Sequence, residues 1–121
     1  LPERNMEQLV HELLIALGHS PESVVFQLGY IDVMLRDDAG EPRLVVEVKT
    51  TIEREAAREA AFRQARDYAA KVGAERFVVT DADRYEIYER SDDRRLGGFT
   101  LSDFRAGDER ALDLLRPGAG A

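Results

Sequence analysis

Residues 30–49, with the sequence YIDVMLRDDAGEPRLVVEVK, decide the fold because they contain two strand patterns separated by a turn. Residues 30–35 and 44–49 are short segments rich in apolar and β-branched side chains, which is typical of β-strands. Between them, Asp37, Asp38 and Gly40 are residue types that favour a turn. The stretch therefore predicts a β-hairpin.

The length of the turn decides which residues of the two strands lie opposite each other. A two-residue turn at 39–40 would place Asp32 directly across from Glu47. The same alignment would put Pro42 opposite Asp37, at a position where the missing N–H of proline costs nothing. A turn of three or four residues would instead shift the pairing by one or two.

Three charged residues of this hairpin are candidates for chemistry. Because side chains alternate along a strand, Glu47 and Lys49 share one face while Val48 points to the other. If Asp32 lies beside Glu47, the two carboxylates repel each other unless a cation lies between them. Mg²⁺, with Mn²⁺ as a substitute, is the natural occupant, since it prefers oxygen ligands. Together with Lys49, such a site suggests hydrolysis of a phosphodiester.

Helices and further strands are predicted on both sides of the hairpin. The spacing of apolar residues predicts an amphipathic helix over residues 3–17. A capping box at residues 50–53, TTIE, predicts that a second helix begins there and ends at Val72 before Gly73. The expected buried stripe of this helix consists of Ala57, Ala61, Ala65, Tyr68 and Val72. Other strands are predicted at residues 24–28, 76–80, 85–89 and 98–101.

The C-terminal segment predicts a short helix followed by a tail. Ser102, Asp103 or Asp108 could cap this helix, which is expected to end near Leu115. Residues 116–121, which contain Pro, Gly and Ala after Arg116, are expected to form a flexible tail or linker. A length of 121 residues fits one domain, which we expect to span residues 1–115.

Composition excludes several classes of protein. The chain has no cysteine and only two histidines, which excludes disulfide frameworks and makes Cys/His zinc sites very improbable. No apolar run approaches the length of a membrane span, so we expect a cytoplasmic domain. The net charge of −7 argues against a broad basic surface for binding nucleic acid. Lys49 is one of only two lysines in a chain with 15 arginines, so its presence is worth inspecting.

The motifs together resemble the PD-(D/E)xK nuclease superfamily. The resemblance rests on Ile31-Asp32, on Glu47-Val48-Lys49 and on the surrounding helices. Residues 64–68, QARDY, match the Q-x-x-x-Y element of the N-terminal nuclease domain of type I restriction enzyme R subunits, and residues 77–88 resemble the next hairpin of that family. The resemblance implies an α/β fold with a restriction-endonuclease-like core, a small mixed β-sheet flanked by helices in the order α-β-β-β-α-β-β.

The same resemblance implies a role for each matching residue in a Mg²⁺-dependent DNA endonuclease domain. Asp32, Glu47 and the carbonyl of Val48 would bind Mg²⁺, and Lys49 would orient or activate the attacking water. Gln64 would be a further catalytic residue near the active site, and its position on the helical wheel predicts that it points toward the sheet.

Three other positions complete the comparison with that family. Tyr68 would support the site, or simply belong to the core. The family also places a glutamate on its first helix, for which Glu7 is favoured over Glu12 as an additional metal ligand. Ile31 departs from the pattern, because the superfamily has proline there.

The resemblance also implies partners. DNA would be the substrate, and further domains or subunits, such as an ATP-driven translocase and specificity subunits, would supply targeting and translocation. Two other interpretations are a catalytically inactive nuclease-fold module that binds protein or DNA, and a structural domain whose charged strand face contacts another subunit.

Overall fold

The computed structural model describes residues 3–29, 31–101 and 110–118. The predictions made for Tyr30, for the caps Ser102, Asp103 and Asp108, and for residues 119–121 lie outside these ranges. In chain order the elements are α1 (Glu3–Ala16), a 3₁₀ turn (Pro21–Ser23), β1 (Val24–Leu28), β2 (Ile31–Arg36), β3 (Pro42–Val48), α2 (Glu55–Val72), β4 (Arg76–Thr80), β5 (Arg84–Glu89), β6 (Arg95–Thr100) and α3 (Arg110–Asp113).

One mixed sheet organises the molecule. Its six strands follow each other in sequence order, and every neighbouring pair is antiparallel except β3 and β4. These two strands run parallel, and α2 is the crossover that such a pair requires. The predicted mixed α/β architecture, with a helix inserted between the third and fourth strands, is confirmed.

Both faces of the sheet are covered. On one face, Met6 and Val10 of α1 pack in a cluster with Val46 and Val48 of β3, to which α3 also contributes. On the other face, Ala61, Ala65 and Ala69 of α2 pack with side chains that include Val45 and Phe77. Because side chains alternate along β3, Glu47 belongs to the α2 face. In the described ranges, no helix combines the length and apolar character that a membrane crossing needs.

The residue pairing between β2 and β3 is the predicted one, but the turn that joins the two strands is not. Val33 pairs with Val46 and Leu35 with Leu44, as the prediction requires. The turn, however, has three residues, 38–40, because the N–H of Asp37 donates to the carbonyl of Glu41.

A bulge compensates for the longer turn. Pro42 pairs with Arg36, so the predicted pairing of Pro42 with Asp37 is wrong, and Arg43 is the extra residue before Leu44. Gly40, with φ of 81°, occupies the left-handed position that closes a three-residue turn. The shift of one residue in the turn and the shift of one residue in the bulge therefore cancel.

The second helix begins later than predicted. Its N-cap is Arg54, which makes no side-chain capping bond, so the predicted capping box at residues 50–53 is wrong. The hydroxyl of Thr51 instead accepts the N–H of Glu53, two residues on, at 3.3 Å, and such local bonds compete with helix initiation. The predicted end is confirmed, because Gly73 has φ of 79° and its N–H donates to the carbonyl of Ala69.

Candidate active site

The Glu47 and Lys49 side chains form an ion pair at one end of β3. Lys49 Nζ lies 3.1 Å from Glu47 Oε1, which agrees with the prediction that the two side chains share a face. The Glu47 side chain is only 4% exposed, whereas the Lys49 side chain is 32% exposed. The carboxylate therefore lies inside the protein, and solvent reaches the pair from the side of the ammonium group.

Asp32 joins this pair through the backbone between them. Its Oδ2 accepts the N–H of Val48 at 2.9 Å, and the side chain is half-buried. Since Val33 pairs with Val46, the next step along the two strands brings Asp32 beside Glu47. The structure thus gathers the three predicted residues at one end of the hairpin.

The neighbouring strand β4 supports the same end of β3. Glu47 is paired with Val79 in the parallel ladder, and the N–H of Lys49 donates to the carbonyl of Thr80 at 2.9 Å. Thr80 is fully buried, and its hydroxyl bonds to both ends of the following turn: it donates to the carbonyl of Arg84 and accepts the N–H of Ala82. The strand pattern at residues 76–80 predicted this segment, but not the role of Thr80 in holding Lys49.

Glu7 and Glu12 differ in their environment. Glu7 is buried, with 6% of its surface exposed, whereas Glu12 is exposed. A buried carboxylate is unusual in a small domain, and burial distinguishes Glu7 from Glu12. Its neighbours Met6 and Val10 pack on the face opposite to that of Glu47.

Gln64 does not occupy the predicted position. The prediction that it points toward the sheet is wrong, because the side chain is exposed. The buried stripe of α2 is Ala61, Ala65 and Ala69, and a residue adjacent to Ala65 is rotated from it by about 100°. Tyr68 is half-buried and packs at the edge of the α2-face cluster, which agrees with the core interpretation.

An arginine pair on the same sheet, Arg84 and Arg95, was not predicted. Both side chains bind the buried carboxylate of Glu86, at 2.8 Å and 2.6 Å, while remaining 40% and 55% exposed. Glu86 is paired with Val79, which in turn is paired with Glu47, so the two carboxylates are two strands apart, or about 10 Å. The spacing of Arg84 and Glu86 in the sequence could have predicted their contact, because side chains two residues apart on a strand share a face.

An aromatic side chain lies beside this arginine pair. Burial and the negative charge of Glu86 raise the pKa of Tyr88, while the positive charges of Arg95, Arg58 and Arg84 lower it. The net effect is a raised pKa of Tyr88, with burial as the largest cause. The ring packs on Phe62 and Phe77, so it belongs to the edge of the α2-face cluster.

The donor set at the end of the hairpin fits Mg²⁺ in chemistry. Asp32, Glu47 and the carbonyl of Val48 are hard oxygen donors, and Mg²⁺ in proteins is commonly held by one or two carboxylates with water and substrate phosphate completing its shell. Within the described ranges, no three or more His, Cys, Asp or Glu side chains come together as ligands. The residues therefore suit an ion that shares its shell with substrate rather than an all-protein cage.

Comparison with known proteins leaves the resemblance to the nuclease superfamily as a hypothesis that rests on the motifs and this geometry. No family model, no curated protein and no solved structure matches the chain.

Proposed function

We propose that the chain is a Mg²⁺-dependent DNA endonuclease domain, the nuclease part of an enzyme similar to type I restriction R subunits. The observation that carries this proposal is the convergence of Asp32, Glu47 and Lys49, through the 3.1 Å ion pair and the 2.9 Å bond to Val48. Two carboxylates and a lysine on one sheet face are the groups that phosphodiester hydrolysis needs.

Each residue has a separate role in this proposal. Asp32, Glu47 and the carbonyl of Val48 would hold Mg²⁺, whereas Glu7, whose neighbours Met6 and Val10 pack on the opposite face of the sheet, is not included among these ligands. When bound, the ion would neutralise charge on the phosphoryl group. Lys49, whose side chain is more exposed than that of Glu47, would donate to the attacking water and stabilise the developing negative charge.

The charge distribution supports DNA as the substrate and argues for help in binding it. The chain carries a net charge of −7, so a duplex would gain little from its surface as a whole. Arg84 and Arg95 share the single carboxylate of Glu86 and lie on the same side as Glu47, two strands away, so this group keeps one net positive charge that could contact a phosphate beside the cleaved bond. Strong binding and targeting would come from further domains or subunits.

Plasmid cleavage with matched variants tests the proposal. Supercoiled plasmid is incubated at high protein concentration with Mg²⁺ or with EDTA. We expect slow nicking by the wild type that EDTA, Lys49→Ala or Asp32→Ala each reduces at least tenfold. Lys71→Ala and Asp67→Ala remove the same charges at exposed positions of α2 and should leave the rate unchanged.

Calorimetry of Mg²⁺ binding separates a slow enzyme from a wrong assignment. We expect saturable binding in the wild type that Asp32→Ala abolishes and Asp67→Ala preserves. Absence of both cleavage and Mg²⁺ binding in the folded wild type would refute the proposal. Binding of Mg²⁺ without cleavage would instead indicate that DNA delivery by another domain is required.

One observation favours a second candidate, a catalytically inactive module of the same fold. Glu47 is 3% exposed, and a metal ligand that exchanges ions and substrate is usually more accessible. If this interpretation is right, Lys49→Ala will leave DNA or protein binding unchanged and lower only the free energy of unfolding. Loss of binding in that variant, with the fold intact, would exclude it.

A further inference from the structure

A cavity of about 390 Å³ lies at the other end of the β2–β3 hairpin. Its walls are residues 18–20 after α1, the ends of β2 and β3 around the turn, and residues 114–118 of the C-terminal segment. Asp32 and Arg36 are four residues apart on β2, so this cavity is separated from the candidate active site by about 13 Å of strand. Its ligand would therefore not be the scissile phosphate.

Four arginines line the cavity, and three of them already have acidic partners. Arg43 binds Asp37 at 2.9 Å and Glu75 at 3.0 Å. Arg76 lies 3.6 Å from Glu89. Arg116 pairs with Asp113. These three guanidinium groups therefore have neutralising carboxylates of their own.

Arg36 is the fourth, and it differs from the others. In the part of the chain that the structure describes, it has no acidic partner within ion-pair distance, and its Nε is buried without a hydrogen-bond partner. Because Nε is shielded from solvent, an anion in the cavity would pair with the guanidinium group of Arg36 through its other two nitrogen atoms.

The rest of the wall restricts the shape of the ligand. Leu35, Leu44, Leu114 and Pro117 supply apolar surface beside the arginines. The carbonyl of Leu115 is already occupied, because Nε2 of His19 donates to it at 2.5 Å. A ligand that fits has one anionic group for Arg36 and an apolar body for the leucines, and the volume suits a small organic molecule.

We propose that this cavity is a binding site for a small organic anion, either an organic phosphate or a carboxylate. Its charged group would pair with Arg36, and its apolar part would pack on Leu35, Leu44 and Leu114. The site is independent of the proposed nuclease activity. It uses no residue of the Asp32, Glu47 and Lys49 group, so either could fail without the other.

Calorimetric titration with simple probes tests this site. Phenyl phosphate and benzoate carry an apolar ring and one anionic group, inorganic phosphate carries only the charge, and benzyl alcohol carries only the ring. We expect saturable binding of phenyl phosphate or benzoate, at least tenfold tighter than that of inorganic phosphate or benzyl alcohol. The better of the two probes identifies the anionic group.

The variant Arg36→Gln should weaken binding of that probe at least tenfold, which is the effect expected for loss of one charge-assisted hydrogen bond. Arg63→Gln makes the same change of charge at an exposed position of α2 and should have no effect. Equal affinity in the wild type and the Arg36 variant, or no saturable binding of any probe, would overturn the proposal.

Backbone NMR of the wild type gives a second measurement that does not depend on the stability of a variant. Titration with the probe should shift the amide signals of Gly18, Leu44 and Leu115, on the three walls of the cavity. Shifts scattered over the surface, or concentrated at Lys49, would contradict binding at this place.

Discussion

The bond from Asp32 to the backbone of Val48 makes a prediction that separates the structural role of the carboxylate from its proposed chemical role. Asp32→Ala removes the acceptor and leaves the N–H of Val48, a residue that is 1% exposed, without that bond. Asp32→Asn keeps an acceptor oxygen of the same reach but loses the charge. Both variants remove the same repulsion with Glu47, so the difference between them isolates the hydrogen bond.

The expected size follows from the burial of that N–H. A hydrogen bond to a buried donor contributes about 0.5–1.5 kcal/mol, and leaving the donor unsatisfied costs about 1–3 kcal/mol. We therefore expect Asp32→Ala to be less stable than Asp32→Asn by about 1–2 kcal/mol. With a urea m-value of about 2 kcal/mol/M, the middle of the usual range, the two unfolding midpoints should differ by about 0.5–1 M.

Urea unfolding followed by circular dichroism measures this difference, and Mg²⁺ calorimetry on the same samples measures the proposed function. We expect both variants to lose Mg²⁺ binding, although only the Ala variant loses the hydrogen bond. Equal midpoints for the two variants would refute the reasoning about Val48. Retention of Mg²⁺ binding by Asp32→Asn would refute the ligand role.

Three further predictions concern the rest of the fold. In Gly98→Ala the new Cβ would lie 2.7 Å from Glu86 Oε2 and 2.8 Å from the Tyr85 carbonyl oxygen, whereas in Gly97→Ala its closest contact is a leucine methyl at 3.0 Å. We expect the first change to cost about 2–3 kcal/mol and the second clearly less, and equal losses in thermal unfolding would contradict this. Burial raises the pKa of Tyr85, so the wild type should lose stability as pH rises above about 10, the pKa of an unfolded tyrosine. Tyr85→Phe should show a smaller fall in the urea midpoint between pH 8 and pH 10.5, and a parallel fall would exclude Tyr85 as the cause. Gly73→Ala should lower the free energy of unfolding by about 1–2 kcal/mol, because φ is 79° there, and an unchanged urea midpoint would show that this strain is absent.

The hairpin was predictable because alternation and register are local properties. The spacing of Glu47 and Lys49 determined their common face, and the pairing that brings Asp32 to them was predicted correctly. The turn was predicted wrongly, since it has three residues and a bulge at Arg43 restores the register. The prediction assumed a two-residue turn and no bulge. Because the longer turn and the bulge shift the pairing in opposite directions, the residue pairs beyond them are the predicted ones.

Other features depended on tertiary packing, which local patterns do not contain. The capping-box motif at residues 50–53 is present in the sequence, yet the helix begins at Glu55. This helix packs on the sheet through Ala61, Ala65 and Ala69, so Gln64 faces solvent. The buried stripe became visible only once Ala69, rather than Tyr68, was known to lie against the sheet. That Arg36 makes no ion pair within the described ranges could not be predicted, because it depends on where each nearby carboxylate lies and which arginine it binds.

The single parallel pair also has a consequence for the order of events during synthesis. Strands β1 to β3 and strands β4 to β6 are two antiparallel meanders, and the contact between β3 and β4 is the seam that joins them. Lys49 is held by Thr80 across that seam, so the ribosome must release more than thirty residues beyond Lys49 before the three charged side chains acquire their final surroundings. A nascent chain would consequently not hold these three side chains in their final arrangement until its second half has docked.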